Sequence, residues 1–175
     1  SLEIVNQLPR KKIPTHIFLQ GGVGSFPGSI CSYFWEKFQS KNIKIIIVES
    51  EHASCLIKSA KNNKMTSVSV DQETMMAGLS CGEPSMLAWE ILSQGADDFV
   101  TISDQSIPST MRMLNKNNPP IEAGESSVAG LVALTEIMKN KSIASKLELN
   151  SSSLVLLFGT EGATDPAIYN SIIKN

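Results

Sequence analysis

Short apolar runs alternate along this chain with longer segments in which apolar positions recur every three or four residues. The first run, His16-Ile17-Phe18-Leu19-Gln20, passes directly into Gly21-Gly22-Val23-Gly24-Ser25, and a helical period follows over residues 28–40. The second, Lys44-Ile45-Ile46-Ile47-Val48-Glu49, is apolar at successive rather than alternate positions, as in a strand covered on both faces. The pattern then predicts a helix over 53–60, a short strand at 67–70, a small-residue segment at 75–84 and a helix over 85–92 that stops near Gly95. A strand at 98–102, a helix over 104–114 with an acidic start and a loop at 115–120 come next. Helices at 126–138 and 143–147 precede the last strand, 154–158, which runs into Gly159-Thr160-Glu161-Gly162. Pro166 opens a final helix at a position proline tolerates. A helix is also expected at residues 2–8.

Strands alternating with helices imply an α/β fold: a doubly wound, mostly parallel sheet with helices on both faces, built as a single domain over residues 1–175. Such sheets bind ligands beyond the carboxyl ends of their strands. Both glycine turns, at 21–24 and 159–162, fall at strand ends.

In a strand-to-helix turn, glycines let backbone N–H groups converge on an anion, and the helix N-terminus adds partial positive charge. Gly22, Val23 and Gly24 are placed to supply such amides, and Ser25 could add a hydroxyl. The competing reading is a tight turn with no ligand. A dinucleotide site is a third: Gly22-Val23-Gly24 follows a strand, and Glu49 closes the next strand where a ribose-binding carboxylate would stand. Its third glycine is misplaced, since Gly28 lies four residues after Gly24 where three are expected. No Gly-Lys-Ser/Thr follows, which excludes a Walker-type loop.

Composition narrows the classes further. The 175 residues are enough for one sizeable core, and a net charge of -2 gives no case for nucleic acid or an acidic membrane surface. No apolar run approaches the roughly 20 residues that span a bilayer. Cys31, Cys55 and Cys81 are widely spaced without a CxxC pair, which argues against a disulfide framework or structural zinc and for a reducing, cytoplasmic setting. Cys81 has no neighbouring histidine in sequence and reads as a small packed residue rather than a nucleophile. Met75, Met76 and Met86 read as core filler. His16 is expected to pack against the sheet, and Ser103 and Asp104 to cap the next helix. Glu83 either faces the cleft or caps the helix after Pro84.

Five stretches, PTHIFLQGGVGSFPG (14–28), VESEHASCL (48–56), TMMAGLSCGEPSMLAWEIL (74–92), EAGESSVAGL (122–131) and FGTEGATDPAIY (158–169), together resemble the diaminopropionate ammonia-lyases. These are pyridoxal-phosphate (PLP) enzymes of fold type II. The resemblance implies that Gly22, Val23, Gly24 and Ser25 hold the PLP phosphate and that Glu125 stands near the cofactor ring. The family's late Ser-Thr-Glu-Gly-Asp-Thr-Asp appears here as Gly159-Thr160-Glu161-Gly162-Ala163-Thr164-Asp165. Thr160 thereby becomes the nearest substitute for the hydroxyl that meets the ring nitrogen.

The resemblance also implies that the Schiff-base lysine and the substrate-side acids lie upstream, so the chain is expected to be a C-terminal fragment without lyase activity of its own. The parent reaction would be α,β-elimination of 2,3-diaminopropionate, a small amino acid, to pyruvate and ammonia. A homodimer is expected, as is typical of the family. The alternative is a non-catalytic or split-gene module of the same fold that serves as a binding or assembly partner.

Overall fold

The computed structural model describes Glu3, Gln7 and residues 12–39 and 42–174; those two positions aside, the helix expected at 2–8 lies outside the described residues. Four parallel strands, β1 (His16–Gln20), β2 (Lys44–Ser50), β3 (Asp98–Ile102) and β4 (Val155–Leu156), form one sheet in the order β3-β2-β1-β4. The helices are α1 (Ser25–Phe38), α2 (Cys55–Asn62), α3 (Met86–Gly95), α4 (Ile107–Asn115), α5 (Ala129–Lys139), α6 (Lys141–Lys146) and α7 (Pro166–Lys174).

The continuous apolar character of β1 and β2 has a direct structural counterpart. Ile17, Leu19, Ile45 and Ile47 point to one face and pack with Ile30 and Phe34 of α1, Leu56 of α2 and Leu92 of α3. Phe18, Ile46 and Val48 point to the other, against Ile107 and Met111 of α4, Val132 and Ala133 of α5, and Tyr169 and Ile172 of α7. Because side chains alternate along a strand, only residues apolar at every position fill two cores at once. The sheet is doubly wound, as the alternation of elements implies.

Local departures from the sequence pattern have physical causes. Helix α1 begins at Ser25 rather than residue 28, and Pro27 sits in its first turn, where the missing N–H has no helical acceptor to lose. No strand forms at 67–70; that segment contributes one backbone bond to the chain beside it, Val68 N–H to Gly82 O at 2.8 Å. The last strand keeps two residues, pairing with His16 and Ile17 alone. Asp104 does not cap α4. It starts a short 3-10 turn (Asp104–Ser106) and accepts from the Thr74 hydroxyl at 2.6 Å and the Met75 amide at 2.8 Å. Ser103 does cap that turn, accepting from the Gln105 amide. His16 is packed as expected, its ring joined to Leu147 O and the Thr15 hydroxyl, each at 2.8 Å. Met76 is fully buried, whereas Met86 is 69% exposed beside an equally open Leu87, so it fills no core.

Candidate cofactor site

From β1 the chain sweeps past Phe158 and Thr160, which follow β4. In the order β3-β2-β1-β4, successive connections leave β1 toward β2 and β3 and return past it to β4, so the sheet's switch point lies between β1 and β4. A cleft of about 630 Å³ opens there, lined by the turn after β1, the segment 78–81, Ser126 and the late turn 159–161.

The first turn is built by left-handed glycines. Gly22 has φ 57° and Gly24 has φ 94°, a region that side-chain-bearing residues seldom adopt. Gly24 also has no room for a side chain: a Cβ there would stand 3.0 Å from Ala88 Cβ and 3.2 Å from Leu92 Cδ1. The turn is held from within, with Gly21 N–H donating to Val48 O at 2.8 Å and Gly24 N–H to Gly21 O at 3.1 Å. The N–H groups of Gly22, Val23, Ser25 and Phe26 take no acceptor among the described residues. Gly22, Val23, Ser25 and Phe26 all line the cleft. No side chain caps α1, so its N-terminal amides are open to a ligand.

The opposite wall comes from the late turn. Ser127 Oγ accepts from Thr160 N–H at 3.0 Å, and Glu161 Oε1 accepts from Ser126 N–H at 2.8 Å. The exposed Thr160 hydroxyl makes no hydrogen bond among the described residues and borders the cleft. Phe26 and Phe158 close the floor in an edge-to-face pair with centroids 5.5 Å apart. Among the described residues Glu161 is the one charged side chain on this surface, and no lysine or histidine borders it. An anion would therefore be held by backbone N–H groups and the α1 dipole rather than by a basic side chain.

Of the residues singled out from sequence, the cleft brings together Gly22, Val23, Ser25 and Thr160. Gly24 shapes the turn from behind. Glu125 is half-buried next to Ser126 and is not among the lining residues; Glu161 and Ser126 are. Cys81 lies half-buried on the wall. Glu83 is exposed, and α3 has no side-chain cap. Gln20, Ser127 and Glu161 were not singled out. A glutamine ending an apolar strand just before a glycine turn was the available signal for the first, whereas the other two act through contacts that local pattern does not encode.

Glu49 decides against the dinucleotide reading. It is fully buried, and both carboxylate oxygens are taken by the first turn of α2, from Leu56 N–H at 2.8 Å and Ile57 N–H at 2.7 Å. A ribose has no access to it.

The sequence matches the family model described as pyridoxal-phosphate dependent enzyme over residues 1–159. The chain belongs to the pyridoxal-phosphate dependent enzymes. Among curated relatives, the diaminopropionate ammonia-lyase of Salmonella typhimurium is 40% identical over 93% of this chain and 43% of its own length. The crystal structure of diaminopropionate ammonia lyase from Escherichia coli, in complex with an aminoacrylate-PLP azomethine reaction intermediate, superposes with a TM-score of 0.86. The match has 34% identity over 98% of this chain and 44% of that one. Maize serine racemase, at 19% identity and a TM-score of 0.76, shares the fold, with 99% of this chain and 50% of that one covered. This PLP-family chain thus spans under half the length of the curated relatives it matches. Its glycine cradle, with amides that take no acceptor among the described residues at a helix N-terminus, is chemically suited to the phosphate of that cofactor.

Proposed function

We propose that this chain carries the phosphate-binding half of a PLP-dependent ammonia-lyase acting on 2,3-diaminopropionate. The observation that carries the reading is the set of amides at Gly22, Val23, Ser25 and Phe26, which take no acceptor among the described residues, in the switch-point cleft. These donors would take the phosphate oxygens, with Gly24 setting the turn that aims them and the Ser25 hydroxyl alongside. The Thr160 hydroxyl is the donor or acceptor available to the ring nitrogen, and Glu125, adjoining Ser126, is the carboxylate assigned near the ring. Phe26 and Phe158 would shield the reacting atoms from water. When bound, PLP supplies an electron sink for the carbanion left as the α-proton departs.

The amine that anchors the cofactor would come from a part of the protein other than the described residues, since no lysine among them borders the cleft. Residues 1–175 are read as a single α/β domain of that protein. A homodimeric, cytoplasmic protein fits the exposed Met86 and Leu87 and the three free cysteines. Among the described residues, no helix is long and apolar enough to cross a membrane.

Titrating the purified chain with PLP, followed by tryptophan fluorescence, tests the reading. Saturable binding that inorganic phosphate displaces is expected, with no release of pyruvate from 2,3-diaminopropionate. Failure of phosphate to compete would overturn the site, and pyruvate release by the chain alone would overturn the placement of the amine.

A further inference from the structure

The phosphate-facing amides lie beside a buried carboxylate that the cleft never touches. Glu49 is the penultimate residue of β2 and has no exposed surface, and its two oxygens accept from the amides of Leu56 and Ile57. A methyl group on Gly21 would stand 2.7 Å from Glu49 Cγ, so the carboxylate arm lies directly against the start of the glycine turn. The same first turn of α2 carries Cys55, whose buried thiol donates to Gly22 O at 3.7 Å and also reaches the Glu49 carboxylate. Gly22 O shares one planar peptide unit with the Val23 N–H, a free donor, and the Gly22 N–H, another, is separated from it by a single pair of backbone rotations.

We propose that Glu49 is a positioning residue for the cofactor turn, fixing α2 and, through the Cys55 thiol, the orientation of the Gly22 backbone and its neighbouring amides. The inference rests on the reading of this turn as the phosphate site. A thiol has one proton, and two acceptors compete for it here. An ionised Glu49 draws the S–H toward itself, and a protonated Glu49 leaves it to Gly22 O. Ionised, Glu49 accepts from both α2 amides; protonated, one oxygen carries a hydrogen and that amide is left with a poorer acceptor. Glu49 is poised between these states. Burial pushes its pKa up to about 7, against the pull of the Leu56 and Ile57 amides and of Cys55. Among the described residues, the groups that face it are few. Helix α2 contributes Cys55, whose own pKa is pushed to about 12 by burial and by Glu49, with Cys81 beyond it. Strand β3 places Thr101 opposite, and the turn itself brings Gly21 and Gly22.

The test uses sulfate as the probe, because its charge is constant across the range where phosphate itself titrates. In the wild-type chain, the Gly22 amide resonance is expected to shift with pH about a midpoint near 7, and to lose that shift in both Glu49→Gln and Cys55→Ala. Glu49→Gln is expected to weaken sulfate binding about tenfold at pH 8, the scale of one lost charge-assisted hydrogen bond. A Gly22 amide that ignores pH between 5 and 9 in the wild type, which needs no variant to fold, overturns the proposal. So does a folded Glu49→Gln chain with wild-type sulfate affinity. If sulfate fails to bind the wild type at all, the phosphate-site reading falls, while the pH response of Gly22 still decides the positioning role.

Discussion

The side-chain amide of Gln20 donates to the carbonyl oxygen of Phe158 at 2.8 Å, joining the ends of β1 and β4 where their backbone ladder has already stopped. The same nitrogen donates to Ser127 O at 3.0 Å. One buried amide thus ties three segments that frame the cleft.

Changing Gln20 should therefore loosen the cleft from beneath. Gln20→Met keeps the volume but leaves two carbonyls without their donor, at an expected cost of about 2–3 kcal/mol. Gln20→Glu sets a carboxyl against the same two oxygens and should cost more, increasingly so as pH rises and the buried acid is forced to ionise. Urea unfolding of both variants at pH 5 and pH 8 measures this; equal stability of Gln20→Glu at the two values would contradict it.

Gly24→Ala should be costly for two separable reasons. Its φ of 94° disfavours any side chain, and the new Cβ meets Ala88 and Leu92 at 3.0 and 3.2 Å. Together these predict a loss of about 2–4 kcal/mol, read as a lowered thermal midpoint.

A substitution at Ser25 separates stability from binding. Ser25 is exposed in the first turn of α1, which has no acidic residue. Ser25→Asp should stabilise the helix by about 0.5 kcal/mol through the dipole. The same charge should weaken PLP binding about a hundredfold, because it stands beside the free amides the phosphate needs. Thermal unfolding and fluorescence titration on one sample check both signs.

Glu49 predicts a pH dependence of stability as well as of the turn. Its folded pKa of about 7 lies above the ordinary glutamate value of 4.5, so between these values the folded state holds a proton that the unfolded chain releases. Stability from this group is present below about pH 4.5 and is lost as pH rises through 7, by about 3 kcal/mol. The difference in unfolding free energy between wild type and Glu49→Gln should shift by that amount from pH 4.5 to 8, whereas a flat difference would sink the assignment.

Much of this protein was written in local pattern. Residues that are apolar at every position of β1 and β2 can be satisfied only between two helical layers, so the doubly wound sheet follows from the chain itself. The strand–glycine–helix order likewise located the cleft's first wall at Gly22, Val23 and Ser25. Pattern could not say which polar groups meet. Glu49 looked available to a ligand and is instead spent on α2. Glu125, implied near the ring by resemblance, is half-buried beside Ser126, and Glu161 and Ser126 line the cleft. The last strand pairs through two residues only, and beyond it Phe158 O accepts from the side chain of Gln20, 138 residues away in sequence. Periodicity records which face of an element is apolar, because burial acts on each residue separately. A buried polar group's partner depends on which distant segments are brought together, and that is decided only when the layers pack.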